Sequence, residues 1–248
     1  MKKFPVSNSN LNMSANTTPD KKFTEMTADG WDERWKNRQI GFHKDHVHPL
    51  LEKYGDRIIK NRNNIRVFFP MCGKSLDMKW VIDKGHTVIG VEYSEMAIKE
   101  FFDELGIEYT VDPVAEIDGK VFKSKDGTIL LYCCDVFKFS KDIAGQFNGI
   151  WDRGAMVAIN RDERQKFANL MKSLMAPDCQ YLLDTFDYNE DLYAGPPHYV
   201  PEEQIPELYS DTCDIEHVTT IDSLEDKQKN SWGLDYFNER LHLITLKK

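Results

Sequence analysis

The chain lacks several features that would assign it to a common class of protein. No run in its 248 residues approaches the roughly 20 consecutive apolar residues of a membrane-spanning helix. Basic residues are not in excess, because 32 Lys and Arg stand against 41 Asp and Glu, for a net charge of −9. Binding to nucleic acid or to an anionic membrane surface needs a basic face, so this balance argues against both partners.

Cysteine is scarce and irregularly spaced. The five cysteines form no C-x-x-C pair and leave an odd one over: Cys72, Cys133, Cys134, Cys179 and Cys213. We therefore interpret them as small, buried apolar side chains in a reducing compartment, rather than as metal ligands or redox groups. This interpretation predicts a cytoplasmic location.

Residues 1–22 contain almost nothing that a core would bury. They are rich in Asn, Ser, Thr and Lys, and Lys2 and Lys3 are not followed by the apolar stretch of a secretory signal. The remainder is long enough for one α/β domain and shows no linker or repeat. We predict a disordered tail over residues 1–22 and a single domain over residues 23–248.

The segment 65–98 is the most informative part of the sequence. Ile65 to Phe69 is a continuous β-branched and aromatic run, which is typical of a buried parallel strand. A helix is predicted over Ser75 to Asp83, and a second strand over Thr87 to Val91. Glu92 then stands at the carboxyl end of the second strand. Strand, loop, helix, strand and acid in this order indicate one nucleoside-binding half of a doubly wound sheet.

A loop with a single glycine joins the first strand to its helix. Gly73 and Glu92 are 19 residues apart, close to the about 20 expected between a phosphate loop and the acid that binds a ribose. The loop lacks the G-x-G-x-x-G pattern that lets the backbone approach a dinucleotide pyrophosphate. A nucleoside ligand without phosphate needs fewer glycines, and S-adenosylmethionine is such a ligand. The alternative is a crossover without a ligand, followed by an acid that is there by chance.

The rest of the chain alternates helices and strands. Helices are predicted over 27–36, 48–60, 94–105 and 161–175, with Ser94 as a cap and with Asn160 and Glu163 as a capping box. Further strands are predicted over 121–124, 128–134, 147–151, 180–186, 214–221 and 234–246. The first two of these form a hairpin around Lys125-Asp126-Gly127. The pattern predicts a mostly parallel, doubly wound α/β sheet with an antiparallel C-terminal hairpin.

Four predicted strands end in polar or special residues: Gly73, Glu92, Asp135 and the pair Asp152–Arg153. In a doubly wound sheet, ligands bind beyond these carboxyl ends. We predict that Glu92 holds a ribose. Asp135 and the backbone of Val136 would lie along the adenine, and the backbone from Met71 to Gly73 would face the methionine portion.

Arg153 and three aromatic residues complete this prediction. An arginine beside a positively charged sulfonium is useful if it stabilises an anionic nucleophile, and the alternative is an ion pair with Asp152 or a helix cap. Trp31 and Trp35 lie one turn apart on the first predicted helix. With Phe42 they are candidates for a lid over the cofactor, and simple packing of an extra helix is the alternative.

Six segments together resemble the thiopurine S-methyltransferase family. They are FFPMCGKSLDMKW, GHTVIGVEYSEMAI, LLYCCDVF, IWDRGAMVAI, GPPHYVP and SWGLDYF, and the likeness runs from about Trp31 to the C-terminus. The resemblance implies a class I methyltransferase fold, with a seven-stranded sheet whose last strand is reversed, and S-adenosyl-L-methionine as the cofactor. It implies methyl transfer to the sulfur of thiopurines or related aromatic or heterocyclic thiols.

The resemblance also implies site residues. Together with the prediction from the strand ends, it gives a cofactor-binding set of Trp31, Trp35, Phe42, Met71, Gly73, Glu92, Asp135, Val136 and Arg153. Substrate contacts are expected at Phe42, Arg153, Pro197 and His198. No catalytic base is obligatory, because sulfur is a good nucleophile and a simple thiol has a pKa of about 8.5. Arg153 is the expected thiolate stabiliser, and no metal is expected.

One position departs from the family pattern. Members often carry a second arginine near the substrate, four residues before the SWG tryptophan, where this chain has Gln228 between Lys227 and Lys229. Either lysine would supply the charge, or the substrate is not an aromatic thiopurine. The resemblance also leaves selenium or tellurium species open as an alternative acceptor, because some relatives handle them.

Two alternatives of another class remain at this stage. A nicotinamide-dependent oxidoreductase shares the same strand, loop and acid, although the single-glycine loop argues against it. A non-catalytic nucleoside-binding protein would keep the fold without the reaction. We expect a monomer that acts on a small-molecule thiol, without nucleic acid or membrane partners.

Overall fold

Within residues 24–59 and 61–248, which the computed structural model describes, nine strands form one mixed sheet. The strands are β1 (Arg66–Pro70), β2 (Thr87–Glu92), β3 (Tyr109–Val114), β4 (Gly119–Ser124), β5 (Ile129–Cys133), β6 (Phe147–Arg153), β7 (Met175–Tyr188), β8 (Cys213–Asp222) and β9 (Phe237–Leu246). Their order across the sheet is β3-β4-β5-β2-β1-β6-β7-β9-β8.

The α-helices in the described residues lie between these strands or before the first of them. They are α1 (Ala28–Lys36), α2 (Pro49–Tyr54), α3 (Asp56–Ile59), α4 (Leu76–Asp83), α5 (Glu95–Glu104), α6 (Lys141–Ala144), α7 (Arg164–Leu174) and α8 (Gln204–Tyr209). None of them is both long enough and apolar enough to cross a membrane.

The strand directions confirm the predicted fold class. β5, β2, β1, β6 and β7 are parallel to their neighbours in that order, and β9 runs antiparallel between β7 and β8. The stretch from β5 to β8 is the seven-stranded sheet with a reversed last strand that the resemblance implied. The predicted hairpin is confirmed as the antiparallel pair β4–β5.

The outer strand β3 was not predicted. It pairs antiparallel with β4 through all six of its residues. Its sequence includes Pro113 and an exposed Asp112, so it lacks the apolar alternation that marks a strand. As an edge strand it needs hydrogen bonds on one side only, which is why it tolerates proline.

Two predicted helices are divided in the structure. The helix predicted over 48–60 breaks at Gly55 into α2 and α3, and its last residue, Lys60, lies outside the described residues. A Cβ at Gly55 would lie 2.5 Å from the carbonyl oxygen of Leu51 and from the ring of Trp80, so the close approach of Trp80 needs glycine there. The helix predicted over 161–175 starts with a separate 3₁₀ turn before α7.

The core lies on both faces of the sheet. Alternate residues of β1 point to opposite faces, so Phe68 belongs to one buried cluster and Val67 and Phe69 to the other. Helices α7 and α8 cover the first face, and α2, α4 and α5 cover the second. Buried on both faces, the central strands read as continuous apolar runs, as parallel strands do. The predicted tail over residues 1–22 lies outside the described residues, and the single domain over 23–248 stays a prediction.

We expect Phe68→Ala to destabilise the fold strongly. Phe68 is fully buried, and its ring stacks on Phe147 at 4.7 Å and on Phe139 at 5.5 Å between centroids. Its removal should lower the free energy of unfolding by about 3–5 kcal/mol, measured by urea denaturation. Leu192→Ala, at a side chain that is 50% exposed, is the control and should change it by less than about 0.5 kcal/mol. Similar values for the two variants would contradict this account of the core.

Candidate active site

A cavity of about 860 Å³ opens at the carboxyl ends of the central strands. Its volume falls within the roughly 300–1,000 Å³ of typical small-molecule sites. Nearly all the predicted site residues line it: Trp31, Trp35, Phe42, Met71, Gly73, Glu92, Asp135, Val136, Arg153 and Pro197. The structure therefore brings together side chains from four strand ends, the first helix and the loop after β7.

Glu92 ends β2 with its carboxylate buried at the base of the cavity. One carboxylate oxygen accepts the N–H of Gly73 at 2.8 Å, and the other accepts the N–H of Ser94 at 2.8 Å. Burial raises the pKa of Glu92, and the N–H groups of Ser94, Gly73 and Tyr93 oppose this rise without cancelling it. Each oxygen keeps a further lone pair. When ionised, Glu92 can therefore accept two ligand hydroxyls, such as those of a ribose.

The loop after β1 requires glycine at position 73. Gly73 has φ +52°, and the preceding Met71 has φ +45°, so the chain turns through the left-handed region twice. A Cβ on Gly73 would also lie 3.0 Å from ring atom Cζ2 of Trp35. The glycine thus lets Trp35 of α1 close directly over the loop, and the buried Gly73 lines the cavity.

Helix α1 is fastened to the loop that follows Glu92. The Tyr93 hydroxyl donates to Asp29, and the Ser94 hydroxyl donates to Asp32, each at 2.6 Å. As predicted, Ser94 is the N-cap residue of α5, but its side chain makes no cap hydrogen bond and its hydroxyl donates to Asp32 instead. The lid helix α1 is therefore held by the two residues that directly follow the proposed ribose-binding acid.

Asn160 fastens the chain just before α1. Its side-chain oxygen accepts the N–H of Met26 at 3.0 Å, and its side-chain nitrogen donates to the Met26 carbonyl at 3.0 Å. Asn160 makes no side-chain cap bond to the helix that follows it, so the predicted capping box is wrong in this respect. The amide nitrogen does reach Glu163, at 3.2 Å.

Phe42 connects the lid to Arg153. Its ring meets Trp31 and Trp35 edge-on, with centroids 5.5 and 5.6 Å apart. Its carbonyl oxygen accepts a hydrogen bond from Arg153 Nη1 at 3.1 Å. The three aromatic residues line the cavity, so they do more than pack an extra helix against the sheet.

Arg153 does not pair with the neighbouring Asp152. The buried carboxylate of Asp152 accepts the N–H groups of Ala155 and Met156 and the hydroxyl of Tyr181. Burial raises the pKa of Asp152 to about 6, although these bonds oppose the rise. Successive residues of a strand face opposite sides of the sheet, and Arg153 lines the cavity instead.

Asp135 and Val136 form the opposite end of the cavity. The carboxylate of Asp135 accepts the N–H of Phe137 at 2.9 Å and so begins a single 3₁₀ turn. This bond fixes the Asp135 side chain just beyond the carboxyl end of β5. The next residue, Val136, is buried.

His198 is the one predicted contact that the structure does not bring to the cavity wall. Its ring is buried, and Nδ1 lies 3.1 Å from the carbonyl oxygen of Ala194. Its backbone N–H donates to Val157 at 2.6 Å, so the residue holds the loop in place. Pro196 and Pro197 of the same loop do line the cavity.

The segment around Gln228 supplies a lysine to the cavity. Lys227 lines it, and Lys227 Nζ donates to the carbonyl of Gly41 at 3.0 Å. Gln228 is buried, and its side-chain oxygen accepts the N–H of Glu225 at 3.0 Å. Lys229 is exposed and does not belong to the cavity wall. Of the two lysines that flank Gln228, Lys227 is therefore the one that can supply the positive charge of the missing arginine.

Sequence reasoning missed an aromatic wall and an acid on this side. Tyr193 and Trp232 stack with centroids 4.3 Å apart, and Phe237 lies 6.0 Å from Trp232. All three residues line the cavity, and so does Glu239 of β9. The SWG segment already contained Trp232, but no spacing in the sequence indicates Glu239.

A family model described as thiopurine S-methyltransferase matches residues 26–247. The chain belongs to the thiopurine S-methyltransferase family. The predictions of an enzyme, of a methyltransferase and of S-adenosylmethionine as the methyl donor are confirmed by this membership. The alternatives of a nicotinamide-dependent oxidoreductase and of a non-catalytic protein are set aside.

Two curated relatives of this methyltransferase show how much of the chain is shared. It is 51% identical to a "Probable thiopurine S-methyltransferase" from Danio rerio over 90% of this chain and 96% of the relative. It is 47% identical to the thiopurine S-methyltransferase of Canis lupus familiaris over 90% and 91%. A solved methyltransferase from Anabaena variabilis shares the fold, with a TM-score of 0.60 at 14% identity over 91% of this chain and 98% of that one.

We expect Glu92→Gln to weaken binding of S-adenosylhomocysteine about ten- to hundredfold in calorimetric titration, on the scale of a lost bond to a charged group. In the parent protein, acidification protonates Glu92 and removes an acceptor, so affinity should fall as pH falls. Because the folded pKa is raised, this loss should begin at a higher pH than for an ordinary glutamate. Glu95→Gln, an ion-paired neighbour on the surface, is the matched control. Equal affinity of the parent protein and Glu92→Gln would remove Glu92 from the cofactor site.

Proposed function

We propose that this enzyme transfers the methyl group of S-adenosylmethionine to the sulfur of thiopurines or of related aromatic or heterocyclic thiols. The observation that carries the proposal is the division of one cavity into two sides. Beyond β5, β2 and β1, one side presents Asp135, Glu92 and the Gly73 backbone. On the side of β6, β7 and β9, the cavity presents Arg153 with the aromatic wall. A nucleoside cofactor and a flat, sulfur-bearing substrate would meet between them.

The residues on the first side fit the cofactor. Glu92 would accept the ribose hydroxyls, Asp135 and Val136 would lie along the adenine, and the backbone from Met71 to Gly73 would face the methionine portion. Trp31, Trp35 and Phe42 would cover it, since α1 is fastened to the loop after Glu92. When bound, the cofactor supplies an electrophilic methyl group on a sulfonium centre.

The residues on the second side fit a flat aromatic thiol. Phe42, Trp232 and Pro197 offer apolar faces, and Arg153 and Lys227 offer positive charge. Lys227 would take the place of the arginine that family members often carry one position later. Its bond to the Gly41 carbonyl puts that charge at the lid edge. This arrangement supports an aromatic substrate more than a small inorganic selenium or tellurium species.

The reaction needs positioning more than acid–base chemistry. A sulfur lone pair attacks the methyl carbon, which requires the two atoms in line at about 3–3.5 Å. For thiols that ionise, such as aryl thiols, Arg153 would favour the thiolate form through its charge, and the aromatic lid would limit the access of water. The alignment of the substrate sulfur with the methyl group of the cofactor would therefore supply most of the rate enhancement. The cytoplasmic location and the monomeric state stay predictions from the sequence.

A methyl-transfer screen tests the proposed function. Radiolabelled S-adenosylmethionine would be incubated with thiopurines, aryl thiols, selenite and tellurite, and the methylated products separated. We expect labelled thioethers from the thiols. Labelled selenium or tellurium products, with none from any thiol, would overturn the proposed substrate class.

We expect Arg153→Ala to raise the KM for the thiol and to lower kcat modestly. The loss of one charge-assisted contact is worth about 1.5–3 kcal/mol, or roughly ten- to hundredfold in kcat/KM. Affinity for S-adenosylhomocysteine should be retained, because Glu92 remains. Arg57→Ala, on a surface arginine paired with Glu216, is the control and should leave the kinetics unchanged. Unaltered kinetics in Arg153→Ala would exclude this arginine from the mechanism.

A further inference from the structure

A buried group of titratable side chains lies under the second side of the cavity. It consists of His48 before α2, Asp184 of β7 and Glu239 of β9, with one donor or acceptor atom of each within 4.8 Å of the others. Relative exposure is 6% for His48, 0% for Asp184 and 9% for Glu239. His48 and Glu239 reach the cavity wall.

These residue types also bind metal ions, but a proton fits the geometry better. The N–H of Leu50 donates to His48 Nδ1 at 3.3 Å, so Nδ1 is an acceptor and the ring proton is on Nε2. Nε2, which then carries the ring proton, lies 3.5 Å from Glu239 Oε2. A metal ion would need the lone pair of Nε2 instead.

The surroundings of Asp184 favour its protonated form. Burial raises its pKa well above the usual range, helped by the negative charges of Glu239, Asp152 and Asp77 and opposed by Arg153. Neither carboxylate oxygen has a hydrogen-bond partner within the described residues. A carboxyl group in this position is stable when it is neutral.

Glu239 is the ionised member of the pair. Burial alone would raise its pKa, but the interaction with the Nε2–H of His48 and the positive charges of Arg153 and Lys44 lower it below its ordinary value. The group therefore presents one anionic carboxylate to the cavity, beside the arginine that is assigned to the substrate.

We propose that Glu239 is a catalytic residue that accepts the ring N–H of the substrate, and that the preferred substrates are N-heterocyclic thiols bound as thione tautomers. The inference rests on the proposed function and adds the substrate's tautomer to it. In such a tautomer a ring nitrogen next to the C=S carbon carries the proton. The anionic carboxylate of Glu239 would accept this N–H, and the neighbouring Arg153 would contact the electron-rich sulfur.

The step balances in atoms and charge. The substrate sulfur forms a bond to the methyl carbon, and the sulfonium C–S bond breaks with its electron pair on the departing sulfur. The proton of the ring N–H passes to Glu239, and the electron pair of the N–H bond forms a C=N double bond. The π electrons of the C=S bond move onto the sulfur. The methylated heterocycle is neutral. The positive charge of the sulfonium is balanced because the released proton neutralises the carboxylate of Glu239.

A carboxylate is a strong enough base for this proton. Methylation of the sulfur turns the ring N–H into that of a heteroaromatic cation, which is much more acidic than a thiol. The transfer can therefore accompany the attack of sulfur, because the N–H becomes more acidic as the new S–CH₃ bond forms. Asp184 and His48 act through Glu239 as positioning residues, the first by remaining neutral and the second by its Nε2–H.

The test compares two substrates in the Glu239→Gln variant. Pyridine-2-thione has a ring N–H next to C=S, and thiophenol has none. We expect kcat/KM for pyridine-2-thione to fall by about 10²–10⁴-fold, mostly in kcat, as for a lost general base. For thiophenol we expect little change, because its sulfur loses no ring proton.

Several controls separate a catalytic role from a structural one. Affinity for S-adenosylhomocysteine should match that of the parent protein, and Glu216→Gln, on the exposed face of β8, should behave as the parent does on both substrates. Glu239→Asp keeps a carboxylate and should retain part of the thione activity, so it serves as the second variant if Glu239→Gln does not fold.

Two results would overturn the inference. Equal losses on both substrates would show that Glu239 only maintains the structure, and a parent enzyme active on thiophenol but not on the thione would exclude the proposed tautomer. Either result leaves the proposed function intact. A parent enzyme inactive on both substrates and on thiopurines would instead refute the proposed function, and the inference with it.

Discussion

The carboxylate of Glu92 is the contact on which the rest of the site depends. It joins the loop after β1 to the loop after β2 by accepting one N–H from each. Without this contact, the loops that follow β1 and β2 would not be bonded to each other at the base of the cavity. Burial makes the ionised form expensive, so the two N–H donors are needed to keep an acid there at all.

The lid follows from the same segment. Tyr93 and Ser94, directly after Glu92, hold α1 by its acidic residues, and Trp35 then lies against the bare Gly73. Further along, the carbonyl groups of Gly41 and Phe42 are held by Lys227 and Arg153. The lid is thus tied to the first side of the cavity through α1 and to the second side through Gly41 and Phe42.

The fold and the cofactor side of the site could be predicted because their causes are local. Continuous apolar runs mark parallel strands, and the distance from Gly73 to Glu92 reflects the length of one strand–helix–strand unit. Ser94 shows the limit of such reasoning. It has the sequence context of a helix cap, but Asp32 from the lid competes successfully for its hydroxyl.

The substrate side could be predicted only in part, because it is assembled from distant segments. Glu239 gains its role from His48 and Asp184, which come from another loop and another strand. The need for glycine at position 55 depends on the ring of Trp80, and β3 depends on β4 as a pairing partner. No local pattern contains this information, since each case is decided by tertiary packing.

The two outermost strands also govern how the sheet behaves toward other chains. An unpaired strand edge is a template on which a second sheet can grow. On β3, Pro113 has no N–H to offer and Asp112 is exposed. On β8 the register shifts between His217 and Thr219, which interrupts the ladder with a bulge. Both margins of the sheet are therefore blunted against intermolecular β-pairing and aggregation.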